Sequence, residues 1–329
     1  MNAWNPGRLL QLSGGYWSTC ALHAGVKLGV FTALAGRRLS ADRLCRALKT
    51  DRRGLTMLLD ALTAMELLGK KGGGYRNMPA AEKFLSRKSP AYIGYMILHH
   101  HYLVESWANL DRAVKTGKPV RKRSARMDPA RREAFLMGMF NNARSFAPLI
   151  VPHIDLSGRR RLLDLGGGPG TYAIEFCRRN PRLNAEVFDL PTTRPFAVKT
   201  IKRFSMGGRI RFQPGDYLRD KVRGTFDAAW LSHILHAEGP AGCRRILRRA
   251  VEALAPGGLI LVHDFYLRAA MDGPRFPALF TLNMLLGTRA GQSYSEAQVR
   301  AMLEEAGIRK IRRIPLSVPN DSGVLAGVK

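Results

Sequence analysis

Four residues in the last third of the chain could handle a proton at neutral pH: His233 and His236, three apart, and the adjacent pair His263 and Asp264. Imidazole titrates near pH 7 and a carboxylate can orient its ring, so residues of these types suit proton transfer. Apolar runs at 226–231 and 259–262 read as buried strands, and each delivers its polar residues at the strand exit. Neighbours on a strand point to opposite faces, so His263 and Asp264 form no dyad by contiguity. Asp264 is instead placed to approach His236 from a different strand end, while His263 either packs away or borders a substrate. His233 and His236 would be neighbours on a helix, and each is equally readable as a loop support.

A second set of residues suits a nucleoside. Gly166, Gly168 and Gly170 form a GxGxG loop between a strand at 161–165 and a helix that begins near Thr171. Small residues there let the backbone approach a ligand, and the helix N-terminus offers unpaired donors. The loop lacks the Lys-Ser/Thr of a phosphate-binding P-loop and the six-position spacing of a dinucleotide fingerprint. The next strand, 185–188, ends in Asp189, whose carboxylate can accept from a ribose diol. Beyond the following strand stand Asp216 and Tyr217, which fit either an adenine edge or a surface turn.

These strands must be positioned by something upstream. Residues 9–68 read as short amphipathic helices, with Leu55, Leu58, Leu59, Leu62 and Met65 at helical spacing and Ser40 as a helix cap. Gly72, Gly73 and Gly74 mark the tip of a small β element, giving winged-helix character. The expected organisation is a helical, winged-helix-like domain at 1–110, a basic linker with connecting helices at 111–157, and an α/β domain at 158–329. Pro152 limits the connecting helix that precedes the boundary. His99, His100 and His101 are consecutive and cannot share one helical face, so no metal site is expected.

The 329 residues carry 53 basic and 25 acidic side chains, a net charge of +28. The basic groups are spread along the chain apart from a denser stretch from Lys115 to Arg132. Without interleaved aromatics, a recognition helix in context or a zinc pattern, that charge reads as a solvated linker rather than a nucleic-acid site. Cys20, Cys45, Cys177 and Cys243 are too far apart in sequence for a local metal pair and suggest no disulfide framework, so a reducing cytoplasm is expected. No apolar stretch approaches the roughly 20 residues of a membrane span.

Taken in order, LDLGGGPGT, VFDLP, GDY, HILHAEG, the APGG before a strand, and GQSYSEAQVRAMLEEAG resemble the class I S-adenosylmethionine-dependent O-methyltransferases of the caffeate, hydroxyindole and bacterial polyketide-tailoring type. The resemblance covers nearly the whole chain. It implies a Rossmann-like seven-stranded mixed sheet and an intertwined homodimer whose N-terminal domains reach into partner active sites. It implies that Asp164, Gly166 and Gly168 hold the amino-acid end of S-adenosylmethionine, Asp189 with Leu190 the ribose, Asp216 and Tyr217 the adenine, with Ser232 nearby. His236 falls at the catalytic histidine, with Asp264 orienting it, and S-adenosylhomocysteine would be the coproduct. Relatives often place aspartate and tryptophan after that histidine, whereas this chain has Ala237 and Glu238, and Gln292 stands near a second carboxylate position of the plant enzymes.

Aromatic and methionine side chains on flanking helices suit a flat, mostly apolar acceptor. Tyr16, Trp17, Met96, His100, Trp107, Phe140, Asn141, Phe280, Met284 and Leu285 are the candidates, with Tyr16 and Trp17 also able to secure a dimer. The expected activity is O-methylation of a small aromatic or polyketide-like metabolite. The alternatives are C- or N-methylation of a related molecule, a noncatalytic S-adenosylmethionine-binding protein, and a nucleic-acid-binding winged helix.

Overall fold

The computed structural model describes residues 4–121 and 128–329. Its contacts divide the chain into two compact units. One runs to Val104 and takes in Glu133–Asn141; the other comprises Glu105–Arg132 and Asn142–Lys329. The contacts therefore do not separate at 158. The helix Pro129–Ile150 is continuous, with Pro148 tolerated inside it, and supplies residues to both units.

In the first unit, three short strands, β1 (Leu39–Ser40), β2 (Leu68–Lys71) and β3 (Gly74–Asn77), form an antiparallel sheet in the order β1-β3-β2. Two helices precede the β2–β3 hairpin. Ala41–Leu48 is capped by Ser40, whose side chain accepts from the Arg43 N–H, and Arg52–Ala64 is capped by Asp51 at Gly54 N, 2.8 Å. Leu55, Leu59 and Leu62 repeat at helical spacing and pack with Phe31, Leu44 and Tyr75 in one apolar core. Helices Pro6–Gly14 and Tyr16–Leu28 leave Leu10, Tyr16 and Trp17 62–73% exposed.

The second unit is a sheet of β4 (Arg161–Leu165), β5 (Asn184–Asp189), β6 (Ile210–Pro214), β7 (Phe226–Ser232), β8 (Leu254–Leu267), β10 (Arg309–Arg313) and β11 (Ser322–Val328), with the two-residue β9 (Tyr294–Ser295) pairing the end of β8. The spatial order is β10-β11-β8-β7-β4-β5-β6. β4 to β8 run parallel, and β11 inserts antiparallel between β8 and β10. Period-two alternation divides the strand residues between two cores. Leu162, Val187, Ala228, Trp230 and Leu261 pack on one face; Leu163, Phe188, Ala229, Leu231 and Val262 pack on the other. This parallel arrangement sends the ends of β4, β5, β6 and β7 to one edge, where a crevice ligand binds in open α/β sheets.

Of the Lys115–Arg132 stretch, Lys115 is paired with Asp111 and Arg131 with Asp128, while Lys122, Arg123 and Arg126 lie outside the described residues. No helix among the described residues is long and apolar enough to cross a membrane.

The helix Glu296–Glu305 shows how local and tertiary terms combine. Ser295 and Gln298 form a reciprocal capping box, and Leu303, 0% exposed, seats the helix in the core. Ser295→Ala should cost about 1 kcal/mol and Leu303→Ala about 2–5 kcal/mol in urea unfolding. Equal losses from the two would refute the division into cap and core.

Candidate active site

The glycine loop is set by the exit of β4. Gly166 has φ 68° and donates its N–H to Phe188 O at 2.8 Å, tying the loop to β5. A Cβ at 166 would stand 2.6 Å from Ile234 Cγ2 in a left-handed conformation, so glycine is required twice over. Tyr217 lies beside the same loop, its Cε1 3.4 Å from that Cβ position.

Asp189 holds the loop from the end of β5. Its Oδ2 accepts from Gly168 N at 2.8 Å, and its Oδ1 accepts from Leu190 N at 2.7 Å and Thr193 Oγ1 at 2.8 Å. Burial pushes the carboxyl above its usual range against these three donors. Oδ2 keeps one lone pair for a further donor such as a sugar hydroxyl. Leu190 contributes here through its backbone.

Asp164, 1% exposed, is less satisfied. Oδ2 accepts from Ala173 N at 3.3 Å, and Oδ1 has no partner. Burial pushes this carboxyl up to about 7, with the Asp189 charge adding to the effect. An orphaned carboxylate oxygen under a glycine loop fits a cationic group, as the amino-acid end of S-adenosylmethionine carries, so the residues present suit that cofactor.

Asp216 behaves differently. Its Oδ1 accepts from Leu218 N at 2.9 Å, its own N–H goes to Asp220 Oδ2 at 2.8 Å, and Arg219 stands 3.7 Å away. Its carboxylate organises the turn that it occupies. Ser232 also turns away from the crevice. His263, fully buried, receives the Ser232 hydroxyl at Nδ1 and meets Ser322 Oγ at Nε2, both 2.9 Å. Ser322 donates onward to Asn320 Oδ1, so His263 carries its proton on Nε2 and Ser232 donates to Nδ1. Tyr172 packs edge to face on His263 at 5.7 Å and against Trp230 at 5.0 Å. Of the two places open to His263, the structure chooses the core, where Trp230 stacks on it at 5.4 Å.

His236 and Asp264 converge from β7 and β8. Asp264 Oδ1 is 2.7 Å from His236 Nδ1 and accepts from Phe265 N at 2.9 Å; Oδ2 accepts from His236 N at 3.3 Å. Burial opposes ionisation of Asp264, yet the flanking His236 and His233 imidazoles hold it well below the usual carboxylate range. An ionised carboxylate only accepts, so His236 Nδ1 carries the hydrogen that faces Asp264, and Nε2 is the ring nitrogen left for another partner. Phe280 meets that ring edge to face at 4.7 Å, and Phe265 stacks at 6.0 Å.

His233 reaches the same carboxylate without a helix. Its φ of 56° turns the chain out of β7, its N–H donates to His263 O, and its Nδ1 lies 3.5 Å from Asp264 Oδ1. Burial lowers its affinity for a proton more than Asp264 raises it. Together His233, His236 and Asp264 also form a donor set compact enough for a divalent cation.

The acceptor candidates divide by unit. In the second unit Phe280 touches His236, Met284 is buried one turn further along Arg275–Gly287, and Leu285 and Trp107 are half-buried. In the first unit Tyr16, Trp17 and His100 are exposed, Met96 is half-buried, and Phe140 and Asn141 are buried, with Asn141 Nδ2 donating to Tyr92 O. Thr193, Tyr172 and Ser322 are supports that sequence reasoning missed. No local spacing could flag Ser322, 59 residues from His263, whereas Thr193 is four residues from Asp189, a spacing legible in the sequence.

Residues 112–309 match the O-methyltransferase domain, and residues 10–87 match the O-methyltransferase dimerisation domain. The chain belongs to the O-methyltransferase family. It is 34% identical over 330 residues to the 3-hydroxy-5-methyl-1-naphthoate 3-O-methyltransferase of Streptomyces sahachiroi, covering 98% of this chain and 95% of the relative. It is 34% identical over 314 residues to the N,N-dimethyltransferase OxyT of Streptomyces rimosus, covering 92% and 90%. The crystal structure of human N-acetylserotonin methyltransferase in complex with SAM superposes with a TM-score of 0.85 at 26% identity, covering 100% of this chain and 99% of that one.

The raised Asp164 carboxyl has a measurable sign. Between pH 3.8 and about 7 the unliganded folded chain retains a proton that the unfolded chain has released, so stability falls as pH rises through that window. Asp264 acts oppositely, its stabilisation being complete above about pH 4 and lost on further acidification. In thermal unfolding of the unliganded protein from pH 4 to 7.5, its stability relative to Asp164→Asn should therefore fall as pH rises, by at most about 1.4 kcal/mol per pH unit. An unchanged profile in that variant would rule out a proton on Asp164.

Proposed function

We propose that the protein transfers a methyl group from S-adenosylmethionine to a hydroxyl of a small aromatic or polyketide-like acceptor. The observation that carries this reading is the His236–Asp264 pair, 2.7 Å apart, at the sheet edge that also holds the glycine loop. The family membership and the naphthoate-methylating relative support the same chemistry.

Bound S-adenosylmethionine supplies an electrophilic methyl group on a positively charged sulfur. Asp164 offers its unpaired oxygen to the amino-acid end, Asp189 offers Oδ2 to the ribose, and Tyr217 borders the loop on the adenine side. Asp216, in the turn that it ties together, would stand on the adenine side, and Ser232 would contribute its main chain. His236 Nε2 accepts the acceptor's hydroxyl proton as the oxygen attacks, while Asp264 keeps Nδ1 protonated and stabilises the resulting imidazolium. Phe280 and Phe265 wall the imidazole and exclude water from it. Holding donor and acceptor in line removes much of the entropic barrier, so the pair contributes orientation as well as a base.

The first unit serves as a homodimer interface in this reading. Leu10, Tyr16 and Trp17 expose apolar surface at the start of the matched dimerisation domain, as a self-complementary patch does in a two-fold dimer. The second reading, N-methylation, is favoured by OxyT and by the absence of aspartate at Ala237. An amine nucleophile already carries its lone pair and needs no base before attack.

Incubation with isotopically labelled S-adenosylmethionine and a panel of hydroxyarenes and aminoarenes, followed by mass spectrometry, tests the reading. Methylated hydroxyl products are expected. His236→Ala should lower kcat by about 10²- to 10⁴-fold with S-adenosylhomocysteine affinity retained, and Asp264→Asn should lower it by less. Full activity in His236→Ala, or labelled amines alone, would overturn O-methylation by a histidine base.

A further inference from the structure

Arg121 takes no part in the chemistry above. It is half-buried beside the helix Arg275–Gly287, where the N–H groups of Val120 and Arg121 both donate to Leu286 O at 3.0 and 3.1 Å. Its Nη1 donates to Ser106 Oγ at 3.2 Å and Asn283 Oδ1 at 2.9 Å, and its Nη2 donates to Asn283 O at 3.0 Å. All three acceptors are neutral. Among the described residues no carboxylate is ion-paired with Arg121, whereas Arg244, Arg300 and Arg313 each meet a glutamate. Burial pulls Arg121 down to about 10, the mark of a cation stripped of water without a compensating charge.

The unused part of this guanidinium has a definite shape. Five N–H groups are available and three are taken, leaving Nε–H and one Nη2–H, the parallel pair that matches the two oxygens of a carboxylate. Gly287 lets the guanidinium lie close against the helix backbone. A Cβ at 287 would stand 2.5 Å from Nε and 2.7 Å from Nη2, and the residue's φ lies outside the left-handed region, so room rather than backbone conformation accounts for glycine.

Position relates this cation to the base. Phe280, Asn283, Met284 and Gly287 follow i, i+3, i+4, i+7 spacing and form one stripe of the helix. Phe280 meets His236 at one end of the stripe, and Arg121 meets Asn283 and Gly287 at the other. At 1.5 Å per residue the two ends are about 4.5–10 Å apart along the axis, the size of a one- or two-ring arene. A cation at a helix C-terminus also satisfies carbonyls, but that role uses Nη1 and Nη2 and leaves the Nε side without a purpose.

We propose that Arg121 binds a carboxylate on the acceptor, so that the substrate is a hydroxyarene carboxylic acid held with its hydroxyl at His236 and its acid group at Arg121. This rests on the methyl-transfer reading for the reaction, and its binding test stands apart from turnover. Calorimetric titration of the full-length protein, saturated with S-adenosylhomocysteine, compares 3-hydroxy-1-naphthoate with 2-naphthol. The acid should bind about 10- to 100-fold more tightly, the worth of a charged hydrogen-bonded pair. Arg121→Gln should bring the ratio near one, and Arg121→Lys should leave it intermediate because an ammonium lacks the fork. If Arg121→Gln fails to fold, Arg121→Lys and Gly287→Ala carry the test, and each must reduce the ratio.

Equal affinities in the unmodified protein, no binding of the acid, or a parallel loss of both ligands in the variants would overturn the anion site and leave Arg121 a helix-end support. Methylation of 2-naphthol without preference for the acid would leave methyl transfer intact and remove this proposal alone. Arg121-dependent binding of the acid without methyl transfer would support the anion site and count against the hydroxyl chemistry.

Discussion

The buried charge of Asp264 constrains the second unit more than any other single group. A carboxylate 4% exposed is costly unless every oxygen is engaged, and here the partners come from three directions: the His236 ring, the His236 and Phe265 amides, and the more distant His233 ring. Those partners are in reach only because β7 and β8 are parallel neighbours with Ser232 opposite His263, and because His233 turns the chain through a left-handed conformation. Once Asp264 is ionised, the hydrogen on His236 Nδ1 and the orientation of its ring follow. The electrostatics that stabilise the fold here are the same electrostatics that orient the His236 ring.

Behind that pair lies a neutral counterpart. His263 is as deeply buried as Asp264, but its two nitrogens are occupied by Ser232 and Ser322, and Trp230 and Tyr172 pack against it. It stays uncharged because burial and the neighbouring His233 both disfavour a proton. Adjacent residues of β8 therefore face opposite fates. Asp264 enters the reactive edge as an ion, and His263 locks β11 to β8 from the core side as a hydrogen-bonded spacer.

The cofactor side is built on a different imbalance. Asp189 has its donors and braces the glycine loop, whereas Asp164 has one oxygen unpaired and an elevated proton affinity. A cationic ligand group brought to this loop would relieve that tension, so binding and ionisation of Asp164 are coupled. Arg121 presents the mirror image, a desolvated cation among neutral oxygens. Both are polar groups that the fold alone leaves incompletely compensated, and such groups report on ligands more directly than well-paired ones do.

The amino-acid sequence by itself determined the strand at 161–165, its glycine loop, the acids at 164 and 189, and the placement of His236 just past β7, because each depends on local periodicity and turn chemistry; the strand read at 259–262 instead spans Leu254–Leu267, with Asp264 inside it. It also carried the family resemblance, since the order of those motifs is a one-dimensional property. Only the tertiary structure decided that Ser232 turns inward, that His233 meets Asp264 without a helix, and that the long helix at 129–150 serves two units. It alone lifted Arg121 out of a diffuse basic stretch and set it against Asn283 and Gly287. Those outcomes depend on partners dozens to more than a hundred residues away, and which of two faces or partners a side chain takes is settled by burial and hydrogen-bond satisfaction across the sheet, terms that no local pattern encodes.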